Sequence, residues 1–308
     1  MPNAVIRFMQ IVRAPFFTAT ISPVLMGTAL AWRLEGKFDI VLFLMALLAM
    51  LFLHAAANML NDYFDHLSGT DWLANPIRLS AVASLTGGGR AIQDGIVQPQ
   101  EMLLYGLSSL LIGISLGIWL VVLVGLPLLL IGALGAFFAF FYTAPPIKLA
   151  HRGLGEFAVG MSFGVLSVLG SYFVQTGNLD WRVALASLPV ASLITAVLWV
   201  NEIPDAPYDK AVGKLNLVVR LGVKGAAFGY FVLVAFAYIV LPFISLSLSS
   251  PVPLIGLLTL PMAFVAALNV RWYACGKRSV VEAMSVACPL TITTHIAMGI
   301  LLTIAYAV

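Results

Sequence analysis

Two short stretches of this chain set an amide beside an acid with an aspartate three residues on: Asn61-Asp62-x-x-Asp65 and Asn201-Glu202-x-x-Asp205. Asp71 follows the first and Asp209 the second. Residues four apart share a helix face, so Asn61 points with Asp65, and Asn201 with Asp205 and Asp209. Pro204 is expected to loosen the last of these turns. Two unit charges about 6 Å apart at an effective dielectric near 20 repel by roughly 3 kcal/mol. Asp62, Asp65, Asp71, Glu202, Asp205 and Asp209 are six of the chain's 13 acids, and gathering them is costly unless a cation sits among them. Carboxylate and amide oxygens suit Mg²⁺, which commonly bridges a few carboxylates to substrate phosphates. Solvated charges at a helix end would account for one aspartate, but poorly for two matched sets.

Basic residues near the acids could hold the diphosphate oxygens that such a metal leaves free: Arg78, Arg90, Lys148, Arg152, Lys210 and Lys214. For each alone, membrane topology is a sufficient reason. Metal and diphosphate beside a membrane cavity point to a lipid diphosphate. If the lipid is allylic, the metal makes diphosphate a better leaving group. Aromatic faces can then steady the cationic hydrocarbon. Tyr63, Phe64, Tyr142, Phe163, Tyr172, Trp199 and Tyr208 are the candidates.

The elements that must carry these residues follow from composition. Hydrophobic residues make up 61% of the 308 and charged residues 9%, against about 25% charged in soluble domains; mean hydropathy is +1.04. The chain reads as an all-α, polytopic membrane protein, one domain over 1–308. Apolar runs of spanning length fall at 16–32, 39–60, 102–124, 126–142, 156–176, 182–203, 226–248, 252–270 and 286–307, with the tight turn at Gly125 and Pro127 between the third and fourth. The first run lacks a small-residue cleavage site and reads as a span rather than a signal peptide. Ahead of it, Val5, Ile6, Phe8, Met9 and Val12 recur at helical spacing beside Arg7 and Arg13, as in a helix lying on the membrane surface. With a cytoplasmic N-terminus, only Arg33, Lys37 and Arg182 of the 16 Lys and Arg face the other side. The same face receives both acid motifs and two long loops, about 61–101 and 204–225, the first containing Asn75-Pro76 and the run Gly87-Gly88-Gly89. The net charge of +3 reflects that face and gives no ground for a nucleic-acid partner. Cys275 and Cys288 suggest neither a disulfide framework nor a zinc site. The two motifs end the second and sixth runs, an offset that hints at a repeated four-helix unit.

Four stretches carry a resemblance to a family: "NMLNDYFDHLSGTD" (58–71), "TGGGRAIQDG" (86–95), "YTAPPIKLAHRGLGE" (142–156) and "NEIPDAPYDKAVGKLNLVVRLG" (201–222). The chain resembles the UbiA-type intramembrane prenyltransferases, and within them the 1,4-dihydroxy-2-naphthoate polyprenyltransferases of menaquinone synthesis. The resemblance implies about nine helices ringing a central cavity that is capped by cytoplasmic loops and open sideways to lipid. It implies Mg²⁺-dependent transfer of a polyprenyl group from an allylic prenyl diphosphate to an aromatic acceptor, with loss of the naphthoate carboxylate. The family's NxxxDxxxD maps onto Asn61 and Asp65 and departs at Gly69, where Asp71, two residues on, is the substitute; DxxxD maps onto Asp205 and Asp209. The metal ligands are then expected to be Asp65, Asp71, Asp205 and Asp209; Asn61, Asp62 and Asn201, from the paired motifs themselves, complete the expected catalytic set. Arg78, Lys148, Arg152, Lys210 and Tyr142, read from their charge and aromatic character, are the expected substrate contacts.

Two rivals remain. A different acceptor (another quinone precursor, a chlorophyll or haem precursor, a glycerol ether) would use the same motifs. A transporter would suit nine spans, but transporters place ionisable groups near the midplane, whereas these acids stand at span ends or in loops. His295 and the pair Gly160 and Gly164 read as packing. His54, one turn before Asn58, is left open between cavity and core.

Overall fold

The computed structural model describes residues 4–70 and 89–308. Among them all regular structure is helical: α1 (Ala4–Ile11), α2 (Thr18–Glu35), α3 (Ile40–Ser68), α4 (Pro99–Val124), α5 (Pro127–Phe141), α6 (Gly155–Gly160), α7 (Ser167–Thr176), α8 (Trp181–Ala211), α9 (Leu217–Ser247), α10 (Leu260–Ala274) and α11 (Val280–Ala307). A 3₁₀ turn (Ala14–Phe17) leads into α2, a π-helical turn (Met161–Leu166) joins α6 to α7, and a 3₁₀ stretch (Val252–Thr259) leads into α10. Eight of the resulting helices are long and apolar enough to cross a membrane, and α5 is a shorter apolar ninth of 15 residues. The protein is an integral membrane protein.

Two boundaries differ from the hydropathy reading, and both carry acids. The second span continues to Ser68, because nothing from 61 to 68 breaks a helix until Gly69 takes a left-handed conformation at φ 81°. The sixth continues to Ala211 through Pro204 and Pro207. Pro204 has no N–H to give the Val200 carbonyl, and the Cys288 thiol approaches that oxygen at 3.8 Å instead. Both acid motifs are therefore helical throughout. The loop expected over 204–225 shrinks to 212–216, since α9 starts at Leu217 and merely kinks at Gly222 (φ 66°). Asn75-Pro76, Gly87 and Gly88 lie outside the described residues.

Each motif helix packs chiefly on the helix that follows it, α3 on α4 and α8 on α9; α2 packs on α7 and α10 on α11. The largest core cluster among the described residues joins α2, α7, α8, α9, α10 and α11, around side chains such as Leu30, Leu193, Tyr230, Leu241 and Met298. Lipid is as apolar as leucine, so close approach of backbones and hydrogen bonds must hold such helices together. Trp199 Nε1 donates to the Ala226 carbonyl at 2.8 Å, and the Tyr230 and Thr291 hydroxyls meet at 2.6 Å. Gly160 and Gly164 bring α6 and the π turn against α8: a Cβ on Gly164 would fall 2.2 Å from Ala191 Cβ. This is the packing role read from their spacing. His295 is 2% exposed, within the core rather than at a site.

Gly164→Leu should therefore push the π turn off α8. Overpacking of this kind costs about 1–3 kcal/mol, to be read as a lower thermal midpoint in detergent. An unchanged midpoint would mean the contact is not tight.

Candidate active site

The two motif helices end on one cavity of about 470 Å³. α3 contributes Asn61 and Asp65; α8 contributes Asn201, Glu202, Asp205 and Asp209; Tyr142 follows α5, and Lys214 follows α8. Most of the remaining wall is apolar, with Ile114 and Ile118 from α4, Leu128 and Phe138 from α5, and Val197 and Leu198 from α8. The cavity thus has one acidic end and a long hydrocarbon body.

Helical spacing acts as expected at the acidic end. Asn61 Nδ2 donates to Asp65 Oδ2 at 3.0 Å, one turn away. Asp65 Oδ1, Asn201 Oδ1 and Glu202 Oε2 are buried without a hydrogen-bond partner. Asp209 Oδ2 accepts from Asn216 Nδ2 at 2.9 Å and lies 3.6 Å from Lys214 Nζ. Burial works against the Lys214 ammonium, yet Asp65 and Asp209 more than offset it, so its pKa is raised and the charge stays at neutral pH. Burial, reinforced by Glu202, raises the Tyr142 pKa and keeps its phenol protonated. The 212–216 turn is tied down by Leu215 N to the His151 carbonyl at 3.1 Å. Just beyond it, Leu217 N donates to Glu156 Oε1 at 2.6 Å.

Among the described residues, no three His, Cys, Asp or Glu side chains stand close enough to enclose a metal ion by themselves. That spacing does not exclude Mg²⁺, which takes only one or two carboxylates and completes its octahedron with water and phosphate oxygens. The unpartnered buried oxygens of Asp65 and Asn201, from opposite motifs, are hard donors of the right type. The residues present fit the ion, with Asp205 and Asp209 on the same cavity.

Other residues singled out in the sequence land elsewhere. Asp62 does not line the cavity: its carboxylate is paired with Arg13 Nη2 and accepts the Gly89 N–H at 3.2 Å. A Cβ on Gly89 would overlap that carboxylate, so a larger residue there would have to displace Asp62 from its place beside Arg13. Lys148, Arg152 and Lys210 stand outside the cavity. Arg152 is spent on the Pro146 carbonyl at 3.0 Å, and Lys210, next to Asp209, falls about 100° round the helix and is exposed. Asp71 and Arg78 lie outside the described residues. Of the aromatics, Tyr142 and Phe163 line the cavity, whereas Tyr172 binds Glu35 at the other end of the bundle and Trp199 packs on α9.

Among the described residues, the cations that line the cavity are Lys214, expected from the sequence, and Arg13. In the sequence, topology alone accounts for Arg13, and its reach to α3 depends on a left-handed turn (φ 54°) after α1 that no periodicity reveals. α1 itself keeps Val5, Ile6, Phe8 and Met9 exposed, while Ile11 and Val12 pack on Met59, Ile92, Val97 and Met102.

The UbiA prenyltransferase family matches residues 20–288. The chain is 34% identical to the 1,4-dihydroxy-2-naphthoate octaprenyltransferase of Bacillus subtilis, over 70% of this chain and 66% of that protein. It is 31% identical to the Escherichia coli protein of the same name, over 70% and 68%. The UbiA prenyltransferase domain-containing protein 1 of Danio rerio is 31% identical, over 80% and 70%. In fold it matches a UbiA homolog from Archaeoglobus fulgidus bound to GPP and Mg²⁺, with TM-score 0.61 and 14% identity over 95% of this chain and 99% of that one. A structure of digeranylgeranylglyceryl phosphate synthase gives 0.62 and 19% over 98% of each.

Arg13 is 13% exposed and Asp62 2%, so removing one partner strands a buried charge. Arg13→Ala should lower stability by about 3–5 kcal/mol. Adding Asp62→Ala should restore part of it, as thermal denaturation of both variants and the parent will show. Simple additivity of the two losses would mean that the pair does not couple.

Proposed function

The chain belongs to the UbiA prenyltransferase family, and from that premise we propose that it transfers a polyprenyl group from an allylic prenyl diphosphate to 1,4-dihydroxy-2-naphthoate. The observation that carries the proposal is the convergence of Asn61 and Asp65 with Asn201, Asp205 and Asp209 on one end of a single apolar cavity, with Arg13 and Lys214 beside them. A diphosphate bearing a hydrocarbon tail has the same division of polarity. The relatives named for naphthoate octaprenyl transfer support the choice of acceptor.

In this reading Mg²⁺ would be held by one or two carboxylates drawn from Asp65, Asp71, Asp205 and Asp209, and its charge when bound would offset the negative charge growing on the leaving diphosphate. Asn61 keeps Asp65 in place through its amide N–H. Asn201 offers an oxygen to the metal or an NH₂ to a phosphate. Arg13 and Lys214 take diphosphate oxygens, Arg13 in its planar fork and Lys214 as a point charge. The allylic C–O bond breaks with its electron pair on diphosphate, and the acceptor's ring carbon forms the new C–C bond. The carboxylate on that carbon departs as CO₂, leaving its electron pair to the ring. Tyr142 and Phe163 present aromatic faces to the allylic cation. The apolar walls exclude water, which would otherwise capture that cation. The mouth faces the cytoplasm, since Lys148, Arg152, Lys210 and Lys214 cluster at that end of the spans. Membrane lipid surrounds the rest.

Asp65→Ala, Asp205→Ala and Asp209→Ala should each cut turnover by about 100-fold or more, as loss of a stabiliser of the developing charge does, while the protein still inserts. EDTA should abolish transfer and Mg²⁺ restore it. The assay is mass spectrometry of products from one prenyl diphosphate and a panel of acceptors that includes 1,4-dihydroxy-2-naphthoate. Full activity in EDTA, or prenylation of a different acceptor alone, would overturn the metal or the acceptor respectively.

A further inference from the structure

Deeper in the cavity lies a second polar layer that the diphosphate chemistry does not use. His54 stands on α3 seven residues before Asn61, about 10 Å further into the membrane along the helix. It lines the cavity although its ring is almost fully buried. Nδ1 lies 2.8 Å from the Thr20 hydroxyl on α2. Phe17 and Phe163 pack on the imidazole, with ring centroids 5.3 and 4.4 Å away. The ring is thereby fixed, and Nε2 is the nitrogen left to meet a molecule in the cavity.

Ser162, beside Phe163, lines the same cavity, and its hydroxyl is buried with no hydrogen-bond partner. It sits in the π-helical turn Met161–Leu166. Such turns break the regular helix period and recur at functional sites. Ser167 Oγ donates to the Ser162 carbonyl at 2.5 Å, so the backbone here has its partner while the side chain does not. A buried hydroxyl without a partner is costly. The neighbouring wall, with Met50, Leu53, Val159 and Leu198, offers nothing to answer it. A prenyl chain has no atom that could; an aromatic ring carrying oxygens does.

We infer that His54 and Ser162 form the subsite for the acceptor's ring hydroxyls. The inference rests on the proposed reading of the chain as a prenyltransferase with an aromatic diol as acceptor. His54 Nε2 takes a hydrogen bond from one hydroxyl, or gives one to the ionised oxygen, because the Thr20 hydroxyl can accept from or donate to Nδ1. Ser162 Oγ meets a second oxygen. Phe163 flanks the acceptor ring, Phe17 backs the imidazole from outside the cavity, and the acceptor is held on the membrane side of the diphosphate, where its ring carbon faces the allylic carbon. The subsite selects the acceptor by its oxygens and makes or breaks no covalent bond itself.

The test uses the full chain in one detergent, with 1,4-dihydroxy-2-naphthoate and a prenyl diphosphate each titrated at saturating levels of the other. His54→Gln and Ser162→Ala should each raise the acceptor KM by about three- to tenfold, the range of one lost neutral hydrogen bond. The donor KM and the Mg²⁺ requirement should stay within about twofold. As inhibitors, 1-hydroxy-2-naphthoate and 4-hydroxy-2-naphthoate each lack one hydroxyl. For one of them the difference between parent and His54→Gln should vanish. Ser162→Ala removes a single oxygen and decides the matter if the His54 variant fails to fold. Equal rises in both Michaelis constants, or an active parent with no change in acceptor KM, overturns the subsite. A parent that yields no prenylated naphthoate overturns the function, and the subsite with it.

Discussion

The constraint on which the site depends is electrostatic: carboxylates are gathered at the end of an apolar cavity with fewer cations than acids. The chain settles part of that charge internally. Arg13 neutralises Asp62 behind the cavity wall, and Lys214 stands against Asp209. Asp65 and Asn201, both lining the cavity, each keep a buried oxygen without a hydrogen-bond partner. The two motif copies are alike in sequence and unlike in use. The acid next to the first asparagine is locked into the fold, while the one next to the second, Glu202, lines the cavity. A site that paired every acid would be more stable empty and would have nothing left for a metal.

Holding this arrangement falls to helices that gain little from burial, because lipid and protein interior are equally apolar. Close backbone approach, at Gly164 on Ala191 and Gly160 on Thr195, brings α6 and the π turn against α8. Hydrogen bonds from Trp199 and Tyr230 tie α9 to its neighbours. α8 is therefore gripped from both sides and can extend past two prolines to present Asp205 and Asp209. α3, packed mainly on α4, is joined to the amino-terminal segment by Arg13 and by Asn58 Nδ2 donating to the Val12 carbonyl at 3.1 Å.

Hydropathy is enough to find the spans, since an apolar run of membrane length rarely arises in a chain that stays in water, and the paired motifs point to the acidic end of the cavity. Helix ends are less legible. Pro204 signals a break only where its missing hydrogen bond is unanswered, and the answer comes from Cys288, far along the chain. The cations are harder still. Lys210 and Lys214 are equal in sequence as neighbours of Asp209, yet helix phase turns one outward and a five-residue turn brings the other in. Arg13 and His54 depend on partners many residues away, Asp62 and Thr20, and no local pattern encodes those distances. Asp71 and Arg78 fall outside the described residues.

α5 has a consequence for the surrounding lipid. At 1.5 Å per residue its 15 residues reach only about 22 Å, against a hydrocarbon core of about 30 Å. Lipids beside it must thin, or the neighbouring side chains must stretch to the interface, at a fraction of a kcal/mol for each ångström of mismatch. α5 is also a wall of the cavity, through Leu128, Ile131 and Phe138. Whichever of the two answers the mismatch, membrane thickness enters the energy of the fold at the side where α5 walls the cavity. A thicker membrane widens the mismatch at α5 and so raises that cost.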